Sequence, residues 1–576
     1  MACGPAAPQA PPSPATLVPP PLSSPPPSSP PQHRNIFWII ADDLRPELGS
    51  YGAEHIRSPN IDALATDSAV FERAYCQVPT CGASRASMLT GLYATPTRFI
   101  NFNTRADFDV PDVPDLAKTL RTAGYTAISN GKVYHHSDDN AQSWSEICGH
   151  DAGSIAGQAC NYTTAMCCIS PQSLARTAPS LPGVRNHTIR NPFARSTVPE
   201  WAHREFENEE VGGLPLQEWL RAQLARWQAH GGQGGCWGCD EPAWGGTDVT
   251  DDGTSPATRG YPDGKLTVKV IDDLRRAKAA NTPFFITCGF IRPHLPFVAP
   301  LRDWDAYSRD AIELADNAAL AVGAPPRALH YRELGVYDIG TTPPSAFSIG
   351  QLMPEYGLGT PLPDNISRSL VHGYYASVTY VDRLVGRVVD ELKSLGMYEE
   401  TIVVFNSDHG YQLGEHGTWC KHSLFETSLH VPLIIKAPGF SPSRVPALVE
   451  NIDIYPTLLD LVGIAAPPHL QGKSLVPLLQ NPVAPFKDAV FSRYRDGDSV
   501  RFADYAYSEY CMRSCWSPET CSSSCATPHL TDRMLYDHTV DPDETLNRWN
   551  RSQYVQATAD MQRALFRHRV EREAID

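Results

Sequence analysis

Apolar residues along this chain fall into short unbroken runs, and between the runs they recur at helical spacing. "NIFWIIADD" (Asn35–Asp43), "TPFFITCGF" (Thr282–Phe290), "TIVVFNSDHG" (Thr401–Gly410) and "VPLIIKAPG" (Val431–Gly439) each read as a buried strand closed by polar or turn residues. "PNIDALATDSAVF", "DGKLTVKVIDDLRRAKAA" and "YYASVTYVDRLVGRVVDELKSLG" read as helices, the last closed by glycine. Strands alternating with helices predict an α/β fold with a largely parallel sheet flanked by helices. In such sheets ligands bind beyond the carboxyl ends of the strands, where Asp42, Asp43, Asp408 and His409 fall.

The pattern fails in three places. Residues 1–34 hold 13 of the 52 prolines and read as a disordered arm. Residues from about 137 to 262 are rich in Gly, Pro, Cys and Trp and read as a long cysteine-stapled insertion. Beyond about residue 480, "VRFADYAYSEY" and "RMLYDHTV" suggest alternating strands, and "YVQATADMQRALFRHRVERE" a terminal helix. The expected organisation is therefore an arm (1–34), a main α/β domain (35–480) carrying the insertion, and a small α+β subdomain (481–576).

A formal charge of -16 argues against general nucleic-acid binding, which needs a basic footprint. It still allows an anionic substrate held by a few local cations. No apolar run approaches the ~20 residues of a membrane span. Fifteen cysteines and four N-x-[ST] sequons, at Asn161, Asn186, Asn365 and Asn550, point to an oxidising, secretory route, extracellular or lysosome-like. The arm lacks the basic and apolar regions of a signal peptide. The cysteines at 511, 515, 521 and 525 are spaced by four, six and four, unlike paired C-x-x-C zinc ligands, so disulfides are expected there.

Three carboxylates at one sheet edge would repel each other without a cation, so, with the imidazole beside them, a divalent metal is expected at Asp42, Asp43, Asp408 and His409. Each residue alone has an ordinary reading: a turn, a cap, a surface lysine, a histidine in a rigid proline turn. Their joint occurrence is what carries the argument.

"CGASRASMLTG" (Cys81–Gly91) fits C-x-[PA]-x-R followed by a helix with Thr-Gly. With "ADDLRPELGSYG", "GKVYHH", "PFFITCGFIRPHLPF", "SDHGYQLGEHGTWCKHSLFE" and "DIYPTLLDLVG", it makes the chain resemble the type I sulfatases of the alkaline-phosphatase-like superfamily, most closely their iduronate-type branch. The likeness covers most of residues 35–465. It implies an alkaline-phosphatase-like sandwich and a Cys81 oxidised to formylglycine by a formylglycine-generating enzyme. It implies one Ca2+ held by Asp42, Asp43, the modified Cys81, Asp408 and His409. Arg85 would hold the formylglycine, Lys132 and His135 would contact the nucleophile with His135 as base, and His294 and Lys421 would grip sulfate and assist the leaving oxygen. The aldehyde hydrate would attack sulfur with one hydroxyl and collapse through the other; a plain Ser or Cys lacks the second. The implied substrate is a sulfated sugar, a uronate 2-sulfate of a glycosaminoglycan-like glycan. A phosphate or phosphonate ester, choline sulfate or another small sulfate is the alternative.

Overall fold

A computed structural model of the chain describes residues 34–149, 262–295, 297–329, 333–336, 359–511 and 530–573, with three short strand segments between 210 and 247. The expected proline-rich arm, nearly all of the cysteine-rich insertion, two of the sequons (Asn161 and Asn186) and the cysteines at 515, 521 and 525 lie outside the described residues. Asn365 and Asn550 are exposed.

An eight-stranded sheet forms the centre. Its strands are β1 (Asn35–Asp42), β2 (Ala69–Tyr75), β3 (Thr126–Gly131), β4 (Glu146–Gly149), β5 (Phe284–Pro293), β6 (Thr401–Ser407), β7 (His430–Lys436) and β8 (Ser443–Glu450). They are ordered β8-β2-β7-β6-β1-β5-β3-β4, and β7 alone runs against the rest. The four apolar runs are thus strands of this sheet, and β1 is central because it is apolar on both faces. Ile36, Trp38 and Ile40 enter one core, and Phe37, Ile39 and Ala41 enter the other. Period-two alternation has split one apolar run between two layers.

Helices cover both faces. α1 (Pro59–Thr66) is shorter than its sequence pattern suggested. The second half of "PNIDALATDSAVF" begins β2, where β-favouring Val70 and Phe71 pair with β7. α2 (Cys81–Thr90) packs under one face, and α3 (Pro262–Ala280) and the long α4 (Asp364–Ser394) cover the other. Every residue of α2 is buried, so its polar side chains must find internal partners.

Toward the C-terminus, β9 (Val490–Tyr494), β10 (Gly497–Arg501), β11 (Tyr505–Cys511) and β12 (Leu530–Asp537) make an antiparallel sheet. α5 (Val555–Glu573) lies on it through Met561 and Leu565, against Val500, Tyr507 and Leu535. This sheet braces the segment that leads into Cys81. Arg493 N–H donates to the Gln77 carbonyl (2.7 Å), and the Ser492 hydroxyl donates to the Cys76 carbonyl (2.5 Å).

Candidate active site

Strand register assembles the site. Ala41 pairs with Ser407, so Asp42 and Asp408 emerge side by side from parallel strands. On the other flank Asp42 pairs with Pro293, which brings in His294 as the next residue of that chain. Gly131 and Gly289 pair at the end of β3, where a Cβ on Gly131 would lie 2.2 Å from the Gly289 carbonyl oxygen. Gly131 also has φ +73°, so both space and conformation require glycine there. The turn it makes delivers Lys132 to the sheet edge.

Asp43 adopts φ 64°, which is strained for a non-glycine residue. Its surroundings fix that conformation. The Tyr374 hydroxyl donates to the Asp43 carbonyl (2.9 Å), the Asp43 N–H donates to Asp408 Oδ1 (3.2 Å), and the Leu44 N–H donates to Ser407 Oγ (2.9 Å). Both neighbouring carboxylates consequently face Cys81. The thiol Sγ lies 3.3 Å from Asp42 Oδ1, 3.9 Å from Asp43 Oδ1 and 3.3 Å from His409 Nε2. Asp42, Asp43, Asp408 and His409 have no exposed surface, and Cys81 is 2% exposed.

Cations interleave with these carboxylates. Arg85, one turn into α2, reaches Asp408 Oδ2 (2.8 Å) and Asp42 Oδ1 (3.5 Å) and donates to the Lys132 and Val133 carbonyls. Lys132 pairs with Asp42. Lys421 Nζ sits 3.0 Å from Asp43 Oδ2, 3.1 Å from His294 Nε2 and 3.0 Å from the Glu333 carboxylate. His135, half-buried, packs edge-on against Phe102 (ring centroids 6.1 Å), and the Phe102 carbonyl abuts Gly82, next to Cys81. The structure therefore brings Asp42, Asp43, Cys81, Arg85, Lys132, His294, Asp408, His409 and Lys421 into one buried cluster, while the His135 ring packs on Phe102 and His136. Glu333 has no counterpart in the sequence reading. It stands in a stretch with neither periodicity nor motif, and nothing in the sequence singled it out.

Charge states follow from the packing. Burial alone would push the Asp42 carboxyl up, but Lys132 and Arg85 hold it well below the usual range. Burial, with Asp42, Glu333 and Asp408 nearby, pushes Asp43 well above it despite Lys421. Burial, then Asp42, pushes the Cys81 thiol well up. Cys81 is also unpaired, so it is neither a disulfide half nor a ready thiolate nucleophile.

The residues fit a divalent cation. His409 Nδ1 lies 3.0 Å from the Gly410 carbonyl and so carries the proton, which leaves the Nε2 lone pair facing Cys81, Asp43 (3.4 Å) and Asp408 (3.6 Å). Ligand atoms of Asp42, Cys81, Asp408 and His409 lie within 4.8 Å of one another. Burial pushes the His409 pKa down, which favours the neutral form that a metal site needs.

The Sulfatase family pattern matches residues 34–464, and that of the N-sulphoglucosamine sulphohydrolase C-terminal region matches 414–571. Iduronate 2-sulfatase of Homo sapiens is 30% identical over 471 residues, 76% of this chain and 70% of that protein. Choline-sulfatase of Rhizobium meliloti is 28% identical over 453 residues, 77% of this chain and 71% of that protein. A structure solved in complex with its substrate D-glucosamine-2-N,6-O-disulfate superposes with TM-score 0.64 at 19% identity, covering 95% of this chain and 99% of that one. The last likeness concerns the fold alone.

Proposed function

The chain belongs to the sulfatase family, hydrolases of sulfate esters, and from that premise we propose that it removes sulfate from a sugar, using a formylglycine made from Cys81 and one calcium ion. The observation that carries this reading is the state of Cys81. A free, buried cysteine held neutral is a poor nucleophile as it stands, yet it contacts Asp42, Asp43 and His409 and shares one group of ligand atoms with Asp408.

Oxidised to the aldehyde and hydrated, this position would supply an attacking hydroxyl and a second hydroxyl for release, and bound calcium would offset the charge of the sulfate oxygens. The chain's own groups do the rest. Asp42, Asp43, Asp408 and His409 would hold the cation. Arg85, tied to Asp408 and Asp42, fixes those carboxylates and the turn of α2 below the nucleophile. Lys132 balances charge beside Asp42, and His135 takes the proton that allows sulfate to leave. His294 Nδ1 is 2.7 Å from the Leu295 carbonyl and so carries a proton, and Nε2 faces Lys421. Burial, with Lys421 and Lys132, pushes the His294 pKa well down. The proton for the leaving oxygen would therefore come from the Lys421 ammonium, which His294 positions by accepting from Nζ at Nε2.

The iduronate 2-sulfatase relatives favour a uronate 2-sulfate of a glycosaminoglycan-like glycan as substrate. The choline-sulfatase relative favours a second reading, a small cationic sulfate. A secretory, oxidising setting is supported by the disulfide at Cys148 and the exposed sequons at Asn365 and Asn550. Among the described residues, no helix is long and apolar enough to cross a membrane.

The test is sulfate release from a panel of sulfated sugars, choline sulfate and phosphate esters, on protein whose residue 81 has been read by peptide mass spectrometry. We expect an aldehyde at residue 81 and release from sulfated sugars. Full activity with an unmodified thiol would overturn the mechanism.

A further inference from the structure

Lys421 has a second anion. Glu333, on a short 3-10 turn (Glu333–Val336), places both carboxylate oxygens 3.0 Å from Lys421 Nζ. The same carboxylate lies 3.4 Å from His294 Nε2 and 3.5 Å from His422 Nδ1. It is 9% exposed, so its charge is poorly screened. On the opposite side Lys421 contacts Asp43, which the cation would claim. Nothing in the metal cluster or the nucleophile needs Glu333, and a sulfate ester is itself an anion. A buried carboxylate against the group that grips such an ester weakens anion binding unless it serves selection.

Charge balance shows what it selects. With a divalent cation bound, Asp42, Asp43 and Asp408 are offset by that cation, Lys132, Lys421 and Arg85, leaving two positive charges in excess. Glu333 reduces the excess to one, which matches a single sulfate ester and leaves nothing for a second anion beside it.

We propose that Glu333 is a specificity-determining residue, selecting sulfate esters whose alcohol carries no negative charge on the His294–Lys421 side. The inference rests on the sulfate-ester reading and narrows it. A neutral or cationic alcohol is favoured, and a uronate must turn its carboxylate away from Glu333.

The test uses three aryl sulfates, phenyl sulfate and its para-carboxylate and para-trimethylammonium derivatives, on the calcium-loaded enzyme. A charge about 10 Å from a carboxylate, at an effective dielectric near 20, changes a ratio by roughly tenfold. Glu333→Gln should therefore raise the kcat/KM of the carboxylated ester relative to phenyl sulfate by about tenfold and lower that of the cationic ester. Glu333→Asp should leave both ratios near wild type. Unchanged ratios in Glu333→Gln, with normal melting, would overturn the assignment.

If the wild type cleaves none of the three esters, the catalytic reading fails instead. The charge preference is then read from calorimetric affinities of the same esters for Cys81→Ser, with and without Glu333→Gln. Affinity ratios that do not move reject Glu333 as the selector.

Discussion

Removing the cation should destabilise this fold measurably. Asp42 and Asp408 lie among ligand atoms within 4.8 Å of each other, and neither carboxylate touches water. Two such charges repel by roughly 3 kcal/mol at an effective dielectric of about 20. Lys132 and Arg85 offset part of that. A cation that binds only the folded state adds about 4 kcal/mol when free metal exceeds its dissociation constant a thousandfold. At about 2.1 cal/mol/K of unfolding entropy per residue, that is a melting shift of roughly 4 °C for a domain of this size. Exhaustive chelation followed by scanning fluorimetry, with and without calcium added back, reads the shift. Activity should disappear and return in step with it. Cys81→Ser should keep most of the shift, because the four remaining ligands persist. If chelation leaves both melting temperature and rate unchanged, the carboxylate cluster is not a metal site and the repulsion argument fails.

Cys81→Ser should fold normally, since the volume change is slight, yet lose turnover for want of the second hydroxyl; circular dichroism and sulfate release together check this. His294→Ala should slow a sugar sulfate by about 10²-fold or more, and an activated aryl sulfate far less, because an alkoxide needs a proton that an aryl oxide does not. Equal losses on the two substrates would make His294 a sulfate ligand and nothing else. Stability should also fall in acid because of His568, stacked on Phe491 at 3.9 Å and edge-on to Tyr93 at 4.4 Å. Burial, with Arg572, Arg569 and Lys487 nearby, pushes its folded pKa well down, so the unfolded chain binds the proton first. The loss opens below about pH 6.5, at up to about 1.4 kcal/mol per pH unit, and continues until the pH passes the folded pKa. Denaturant midpoints of His568→Phe should decline less between pH 7 and pH 5 than those of wild type.

What could be read from the sequence, and what could not, follows from how far each signal travels along the chain. β1 and β6 are unbroken apolar runs ending in acids, so their local pattern announces both burial and chemistry. That β7 runs against its neighbours could not be seen, because a strand buried on both faces looks the same in either direction. The break between α1 and β2 was hidden for a similar reason: "ATDSAVF" contains neither glycine nor proline to mark it. The clustering of Asp42, Asp43, Cys81, Asp408 and His409 was legible because each lies within a residue or two of an element's end, where an apolar pattern stops abruptly. Tyr374 was legible only as a helical core position, although its hydroxyl holds the strained backbone of Asp43.

Glu333 marks the limit of that reading. A carboxylate becomes part of a site through what surrounds it, and here Lys421, His294 and His422 arrive from segments far away in sequence. The proposed attacking position and cation cage are thus specified locally, in motifs short enough to recognise. The charge tolerance proposed for the Glu333 side depends on long-range packing. On this reading the shared chemistry is the part a motif reveals, whereas the choice of substrate would rest on residues such as Glu333, which become visible only once the fold places them against the motif.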